Sequence, residues 1–286
     1  MQTLRYTTMK RSILLSAATM LLLASCGNNI SETESNMDDN SISFKRIEAA
    51  KAYTLENSAA DYDTDSDLTV ACRVNVLMPE NIFGQDLSQL KDAIEISAFG
   101  NDSNRILENF FHSAAAEFGY APVAINLNKE QSDSLSKYAV RLSDYDGCTS
   151  IDGDVTTLNN AILSYAITST SYSPRAAHGM YSTTYINYDI RNGKVITLDD
   201  LFTQDGLNAL PEIIANKAKY MSPIIGRTNI EALPSDGNFY VSDSGDIVFA
   251  YGPYEVASYA QGIIRIPLAP YLLSEYLTET GKSVLL

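Results

Sequence analysis

The sequence is poor in several residue types, and each shortage excludes a class of protein. Its 286 residues include three cysteines, too few for a disulfide-stapled scaffold. Fifteen glycines and nine prolines exclude a collagen-like or low-complexity chain. Basic residues are outnumbered by acidic ones, 20 to 35, so the formal charge is −15 and a nucleic-acid partner is not expected. What remains is a globular protein that depends on a buried core and attracts cationic partners.

Long hydrophobic runs are also scarce, and the one near the N-terminus is short. Arg5, Lys10 and Arg11 form a positive segment ahead of it. Residues 12–24 are uncharged and mostly apolar, a run shorter than the roughly 20 residues of a membrane-spanning helix. This arrangement predicts that residues 1–25 are a signal peptide.

The apolar run ends in a short motif that predicts lipidation. Residues 23–25 (Leu, Ala, Ser) precede Cys26, which resembles the bacterial lipobox and implies a lipid on Cys26. The protein would then be anchored to a membrane of the bacterial cell envelope, at its periplasmic or cell-surface side, without spanning it. Removing residues 1–25 takes away three basic and no acidic residues, so the formal charge changes from −15 to −18. The polar residues 26–41 are predicted to be a flexible acidic tether.

Residues 42–150 are predicted to form an N-terminal α+β subdomain. Apolar residues within 42–55 suggest a short strand pair. Strict alternation over residues 69–78 predicts a half-buried strand that ends at Pro79. Helices are predicted next over residues 87–98, 102–118 and 128–142, followed by an acidic turn region at 144–154.

Residues 151–286 are predicted to form a second subdomain in which strands dominate. Stretches rich in Thr, Tyr and Ile at 158–172 and 180–190 predict two antiparallel strands, the second leading into a turn at Asn192 and Gly193. Because helices and strands come in runs, the predicted fold class is α+β, with antiparallel β-sheets and packed helices. The remaining predicted elements are a helical turn capped by Thr197, a helix at 207–218, strands at 238–241, 247–251 and 262–268, and a closing helix at 271–277.

Several stretches of the C-terminal half resemble one known family in the same order. They are the strand 162–172, the turn Ala177-His178-Gly179, the segment from Tyr185 to Phe202 and the string from Asn238 to Gly262. In the N-terminal half, residues 70–98 resemble the same family more weakly. The chain thus resembles a bacterial domain of unknown function. That family includes the extracytoplasmic part of the anti-sigma factor RsiV, which binds lysozyme, and the region preceding the catalytic part of the peptidoglycan deacetylase PdaC. The resemblance implies an α+β recognition domain with no catalytic residues of its own.

Few residues offer catalytic chemistry. The chain has two histidines and lacks the G-x-S-x-G and H-E-x-x-H motifs. His178 is a candidate base or metal ligand, or else a turn residue bonded to backbone. The pairs Asp199–Asp200 and Asp243–Asp246 fit a helix start and a turn better than the two carboxylates of a glycosidase. The sequence favours a non-catalytic protein with no cofactor or metal.

Two further patterns leave alternatives open. Aspartates at 61, 63, 65 and 67 predict a solvated acidic loop; a calcium loop is the alternative, although Ser66 and Cys72 stand where it needs Gly and Glu. Cys72 and Cys148 remain after lipidation, and in an oxidising envelope they either form a disulfide or stay free.

The 18 tyrosines are the main indication of a binding surface, because tyrosine offers a large contact area at low entropic cost. Five lie in or beside the matched segments, where ordinary strand packing is the alternative explanation: Tyr181, Tyr185, Tyr251, Tyr254 and Tyr259. The predicted ligand-binding residues are His178, Tyr181, Tyr185, Tyr251, Tyr254 and Glu255. The function expected is a lipid-anchored binding protein for a cationic protein such as a lysozyme-like enzyme. The alternatives are an envelope glycan-processing enzyme and a structural or accessory lipoprotein.

Overall fold

The fold is organised around one long mixed β-sheet. A computed structural model describes residues 41–56, 67–100, 102–137, 144–223 and 225–286, all within one compact unit. The predicted signal peptide, the lipidated Cys26 and the tether up to residue 40 lie outside the described residues, as do Asp61, Asp63 and Asp65 of the acidic loop. Within the part that is described, no helix is long and apolar enough to cross a membrane.

Two long antiparallel strands form the N-terminal half of this sheet: β1 (Ile42–Glu56) and β2 (Leu68–Ile82). The alternation predicted for β2 is confirmed, because its alternate residues from Val70 to Met78 all enter the same core. The prediction of a strand pair within 42–55 is wrong, since β1 is continuous. The predicted end at Pro79 is also wrong. Pro79 lies opposite Phe44 beside a bulge, where a missing backbone N–H is tolerated, and β2 continues past it.

The connection from β2 to the next long strand supplies the helices. It contains α1 (Ser88–Phe99), α2 (Leu107–Ala116), β3 (Ala121–Ala124) and α3 (Lys129–Lys137). This crossover lets β4 (Gly147–Leu158) pair parallel to β2, whereas only antiparallel pairing was expected.

The acidic turn region predicted at 144–154 is wrong, because most of it belongs to β4. The two aspartates within β4 are two residues apart, so both lie on the same face of the strand, and each is paired with an arginine. Asp152 is paired with Arg73, and Asp154 with Arg46 at 2.9 Å. Partnered carboxylates are therefore compatible with a strand position that composition alone would assign to a loop.

Three more strands complete the sheet: β5 (Ile162–Tyr172), β6 (Met180–Asp189) and β7 (Lys194–Ile196). The strand order is β3-β1-β2-β4-β5-β6-β7. Residue 150, where two subdomains were expected to meet, lies within β4. The α+β fold class is confirmed.

The C-terminal residues form a layer against this sheet. It consists of α4 (Leu198–Leu201), α5 (Gln204–Lys219), a small sheet of β8 (Phe239–Val241), β9 (Ile247–Tyr251) and β10 (Ile264–Leu268), and α6 (Glu279–Leu285). The closing helix predicted at 271–277 is wrong. A short 3-10 turn ends at Leu273, Leu277 forms an isolated bridge with Phe202, and α6 starts only after Thr278.

Two main cores result, one on each face of the large sheet. Helices α1 and α2 cover one face and bury side chains such as Leu163 and Tyr165 of β5. The neighbouring Ile162 points the other way and joins the core beneath the C-terminal layer. On that second face α3 also covers a small alanine-rich patch of β1 and β2 through Leu135.

Candidate functional site

Four aromatic residues meet at one surface position, and we call them the aromatic cluster: His178, Tyr181, Tyr254 and Tyr259. The ring of Tyr259 is central. It stacks on His178 with centroids 4.4 Å apart, meets Tyr181 edge-on at 5.8 Å and lies against Tyr254 at 5.6 Å. Because the rings contact one another, the cluster presents a packed aromatic surface rather than a cage around a cavity.

The cluster joins two segments that are distant in sequence. His178 lies in the β5–β6 loop and Tyr181 on β6, whereas Tyr254 and Tyr259 lie in the loop between β9 and β10. A hydrogen bond ties the segments together, since the Tyr259 hydroxyl donates to the carbonyl oxygen of Gly179 at 2.7 Å.

The imidazole of His178 is held by contacts at both nitrogens. Its Nδ1 lies 2.9 Å from the carbonyl oxygen of Gly179, which can only accept, so Nδ1 carries the hydrogen. Its Nε2 lies 3.4 Å from the hydroxyl of Tyr254. Among the described residues no carboxylate bonds to His178, so the geometry favours a ring that is packed and oriented over one that works as a base.

Glu255 shapes the loop that carries Tyr254. One carboxylate oxygen accepts from the backbone N–H of Ser235 at 2.6 Å and from its hydroxyl at 3.0 Å, and the other accepts from the N–H of Gly252 at 2.7 Å. These bonds help hold Tyr254 at φ 68°, an uncommon conformation for a residue with a side chain, and its ring remains 57% exposed. Glu255, which was predicted to contact a ligand, is exposed, and its carboxylate fastens this loop.

A glycine allows the same loop to approach β6. Gly262 has φ +67°, and a Cβ atom there would lie 2.8 Å from the hydroxyl of Tyr181. A side chain at this position would be strained at this positive φ and would displace the Tyr181 hydroxyl, so glycine favours both the turn and the close contact.

Tyr185 belongs to a second aromatic pair. It lies on the same face of β6 as Tyr181 and four residues further on, a separation of about 13 Å in a strand. Its ring stacks on Tyr240 of β8 with centroids 4.5 Å apart, and its hydroxyl accepts from Arg265 at 3.1 and 3.2 Å. The structure therefore separates Tyr185 from the aromatic cluster.

Tyr251 lies in neither group. It is 1% exposed in the core beneath the C-terminal layer, and its hydroxyl donates to the carbonyl oxygen of Ala232 at 2.9 Å. Burial, followed by the nearby Glu255 carboxylate, raises the pKa of this phenol above its usual value of 10.0. Tyr251 thus packs within the protein. For this tyrosine, ordinary strand packing is the correct explanation.

Two of the aspartates considered as catalytic residues stabilise local structure instead. Asp200 accepts from the backbone and side chain of Thr197 in a capping box at the start of α4. Asp246 accepts from Ser244 in the turn before β9. Across the described ranges no group of three or more His, Cys, Asp or Glu side chains could hold a metal ion.

The two described cysteines remain free thiols. Cys72 is buried in the core beneath α1 and α2, whereas Cys148 packs against the alanine-rich patch on the other face. In the parallel register Cys148 lies opposite Ala71, so the two thiols project from opposite faces of neighbouring strands. This arrangement opposes a disulfide.

Residues 199–269, which run from α4 through β10, match a family model described as a protein of unknown function, DUF3298. This segment is a DUF3298 domain. Among curated proteins no sequence matches the chain significantly. The prediction of a bacterial domain of unknown function is therefore confirmed for the matched segment.

Solved structures carrying the DUF3298 name share this fold. A DUF3298 family member from Bacteroides fragilis is 20% identical, with a TM-score of 0.61, and the match covers 85% of this chain and 96% of that one. A DUF3298 family protein from Pseudomonas aeruginosa is 15% identical, with a TM-score of 0.51, and the match covers 85% and 97%.

The DUF3298 domain supplies half of the aromatic cluster. Tyr254 and Tyr259 lie inside the matched segment, whereas His178 and Tyr181 precede it. Sequence analysis named three of the four cluster residues as ligand-binding. Tyr259, the ring that joins the others, was named among the candidate tyrosines but not among the predicted ligand-binding residues, and Tyr240 and Arg265 were not candidates, because nothing in the local sequence indicates which rings will meet.

Proposed function

We propose that this protein is a lipid-anchored extracytoplasmic binding protein whose aromatic cluster captures a cationic protein, such as a lysozyme-like enzyme. The observation that carries the proposal is the convergence of His178, Tyr181, Tyr254 and Tyr259 at the surface of a strongly acidic chain. The lipid anchor rests on the motif that ends at Cys26.

Charge and aromatic surface complement each other in this proposal. A formal charge of −15 attracts a basic partner over a distance and accelerates encounter in a salt-dependent way. At short range the exposed ring of Tyr254 offers a π face to a lysine or arginine side chain, an interaction that strengthens when water is excluded. Glu255 keeps that ring in place before the partner arrives, which lowers the ordering cost of binding.

The capture is tested with the full chain immobilised and hen lysozyme in solution. We expect retention at low salt and weaker retention at moderate salt. Tyr254→Ala should weaken binding by about fivefold, at the upper end of the range for an exposed cation–π contact. Tyr271→Ala is the matched control, because Tyr271 is 70% exposed on a 3-10 turn outside the cluster. Absence of retention at both salt concentrations, or equal weakening by the two variants, would refute the proposal.

The anchor has its own test. Intact mass of the protein purified from bacterial membranes should show loss of residues 1–25 and an added diacylglyceryl mass on Cys26. An unmodified Cys26 thiol would remove the membrane-anchored part of the proposal.

The geometry gives no support to the glycan-processing alternative. The carbonyl of Gly179 orients His178, but the hydroxyl nearest its other nitrogen lies 3.4 Å away, and among the described residues no carboxylate bonds to the ring.

A further inference from the structure

An open groove lies beside the loop that carries the aromatic cluster. It has a volume of about 250 Å³, slightly below the usual range for small-molecule sites, and suits a ligand of about one sugar ring. The groove is lined by Arg227, Thr228, Val256, Ala257, Ser258 and Gln261. Two small apolar side chains thus lie among four polar ones.

Arg227 is unusual in this acidic protein. In the part of the chain that the structure describes, it is the one arginine whose guanidinium has no hydrogen-bond or ion-pair partner. Each of the other described arginines has a partner: Arg46, Arg73, Arg105, Arg175, Arg191 and Arg265. An arginine left unpaired among so many carboxylates keeps its full set of donors for a ligand.

Of the other polar side chains of the groove, Gln261 keeps its donor available, whereas the hydroxyls of Thr228 and Ser258 donate within the protein. The hydroxyl of Thr228 donates to the carbonyl oxygen of Ile225 at 2.6 Å, and that of Ser258 donates to the side-chain oxygen of Gln261. Gln261 therefore keeps its amide NH₂ group, alongside the guanidinium of Arg227. Glu255, next to the groove in sequence, turns its carboxylate to Ser235 and Gly252.

A second groove reinforces this positive character. It has a volume of about 340 Å³, meets the first at Arg227 and is lined in part by Lys219. Among the residues that the structure describes, no aspartate or glutamate lines either groove.

We infer that the groove at Arg227 binds a small organic carboxylate, such as an acidic sugar. A planar carboxylate matches the two parallel N–H donors of a guanidinium, and the amide of Gln261 is placed to donate to a second ligand oxygen. Val256 and Ala257 offer contact to the apolar face of a ring. This site shares the β9–β10 loop with the aromatic cluster, but none of the four cluster residues lines it, and the inference does not depend on capture of a cationic protein.

Calorimetric titration of the full chain with glucuronate, glucose and inorganic phosphate tests the inference. We expect saturable binding of glucuronate and none of glucose. Arg227→Gln should weaken glucuronate binding about tenfold or more, because charge-assisted bonds are lost. Arg265→Gln, which removes the same charge from another exposed arginine, should change it less than about twofold.

Three outcomes would overturn the inference. The first is no saturable binding of glucuronate, and the second is equal weakening by both arginine variants, which would indicate a general charge effect. The third is binding of phosphate without glucuronate, which would exclude a carboxylate site. Both arginines are exposed, so neither substitution removes a core side chain, and matching melting temperatures confirm that the variants fold.

Discussion

One face of the seven-stranded sheet is covered by α1 and α2 and is almost wholly apolar. The other face is covered by α3 at one place and by the C-terminal layer at another, and polar side chains lie on it as well. On the first face, alternate residues of β2 and β5 enter one continuous core. On the second, Arg73 pairs with Asp152, and Ser164 with Asn187. Apolar burial is non-directional, so the first face needs only the right pattern, whereas each polar group on the second face needs a specific partner.

The aromatic cluster follows from that difference. Tyr181 and Tyr185 both lie on the second face of β6, on the side where a separate layer arrives from later in the chain. Their ring contacts come from the DUF3298 segment rather than from neighbouring strands. The aromatic cluster thus forms where the covering layer ends.

The largest expected loss of stability comes from removing an apolar side chain on the face that α1 and α2 cover. Leu163→Ala should lower the free energy of unfolding by about 3 kcal/mol, because Leu163 is fully buried and its loss leaves a cavity. Thr168→Ala, on the opposite face of the same strand, should cost about 1 kcal/mol or less, since it removes the hydroxyl contact with Thr183. Urea unfolding measures both, and equal losses would contradict the distinction between the faces.

A smaller effect is expected at the buried polar junction on the second face. Asn187 accepts from the hydroxyl of Ser164 at 2.7 Å and donates to the carbonyl oxygen of Phe239 at 2.8 Å. Asn187→Ala should cost about 2 kcal/mol by leaving that carbonyl without its donor. Asn216→Ala, at an exposed position of α5, should change stability by less than about 0.5 kcal/mol. A similar cost for both variants would show that the junction has no special importance.

A still smaller, pH-dependent effect is expected where the covering layer begins. Partial burial raises the pKa of Asp200, but hydrogen bonds from Lys194 and Thr197 outweigh it and hold the pKa below its usual value of 3.8. Because the folded-state pKa is the lower one, ionised Asp200 stabilises the fold above pH 3.8, and this contribution is lost as the pH falls through the folded-state pKa.

Asp200→Asn should therefore destabilise the protein by about 1 kcal/mol at pH 7, and the difference from wild type should shrink below about pH 3.8. Asp199→Asn, at the exposed neighbouring position, is the control and should show a smaller cost. Unfolding curves between pH 2.5 and 7 measure both, and a cost for Asp200→Asn that persists unchanged at the lowest pH would disprove the assignment.

Mild oxidation is expected to leave the stability of the folded protein unchanged. Burial, followed by the neighbouring Cys148, raises the pKa of Cys72 to about 12, so its thiolate is scarce at neutral pH. A thiol reagent should label Cys72 only after unfolding, and peptide mapping after oxidation should find no link between Cys72 and Cys148. Such a link in folded protein would show that the two cysteines do not lie on opposite faces.

Local pattern predicted much of the fold, and its errors share one cause. The strand β2, the helices α1 and α5, and the turn at Gly193 were all visible as periodicity or turn residues. The acidic stretch that became β4 and the segment near Leu277 were misassigned, because pairing with distant residues overrode local composition. Arg73 lies in another strand than Asp152, and Phe202 lies far from Leu277 in sequence.

The sequence predicted candidate residues for the site but not which of them lie together. Tyr251 and Tyr254 look alike in sequence, yet one is buried and the other exposed. The change takes place at Gly252, where β9 has ended and Glu255 folds the chain back. Such a reversal depends on Ser235, which lies on another segment.

Alternation by itself determined which side chains of β2 enter a core, because a strand turns successive residues to opposite faces and water expels the apolar set. Charge by itself determined the sign of any steering field. Only the tertiary structure decided that Tyr259 joins His178, Tyr181 and Tyr254, and that Arg227 has no carboxylate partner among the described residues. The ring contacts require two loops to meet, and their meeting depends on how the C-terminal layer packs against the sheet, with Gly262 providing a left-handed turn beside Tyr181.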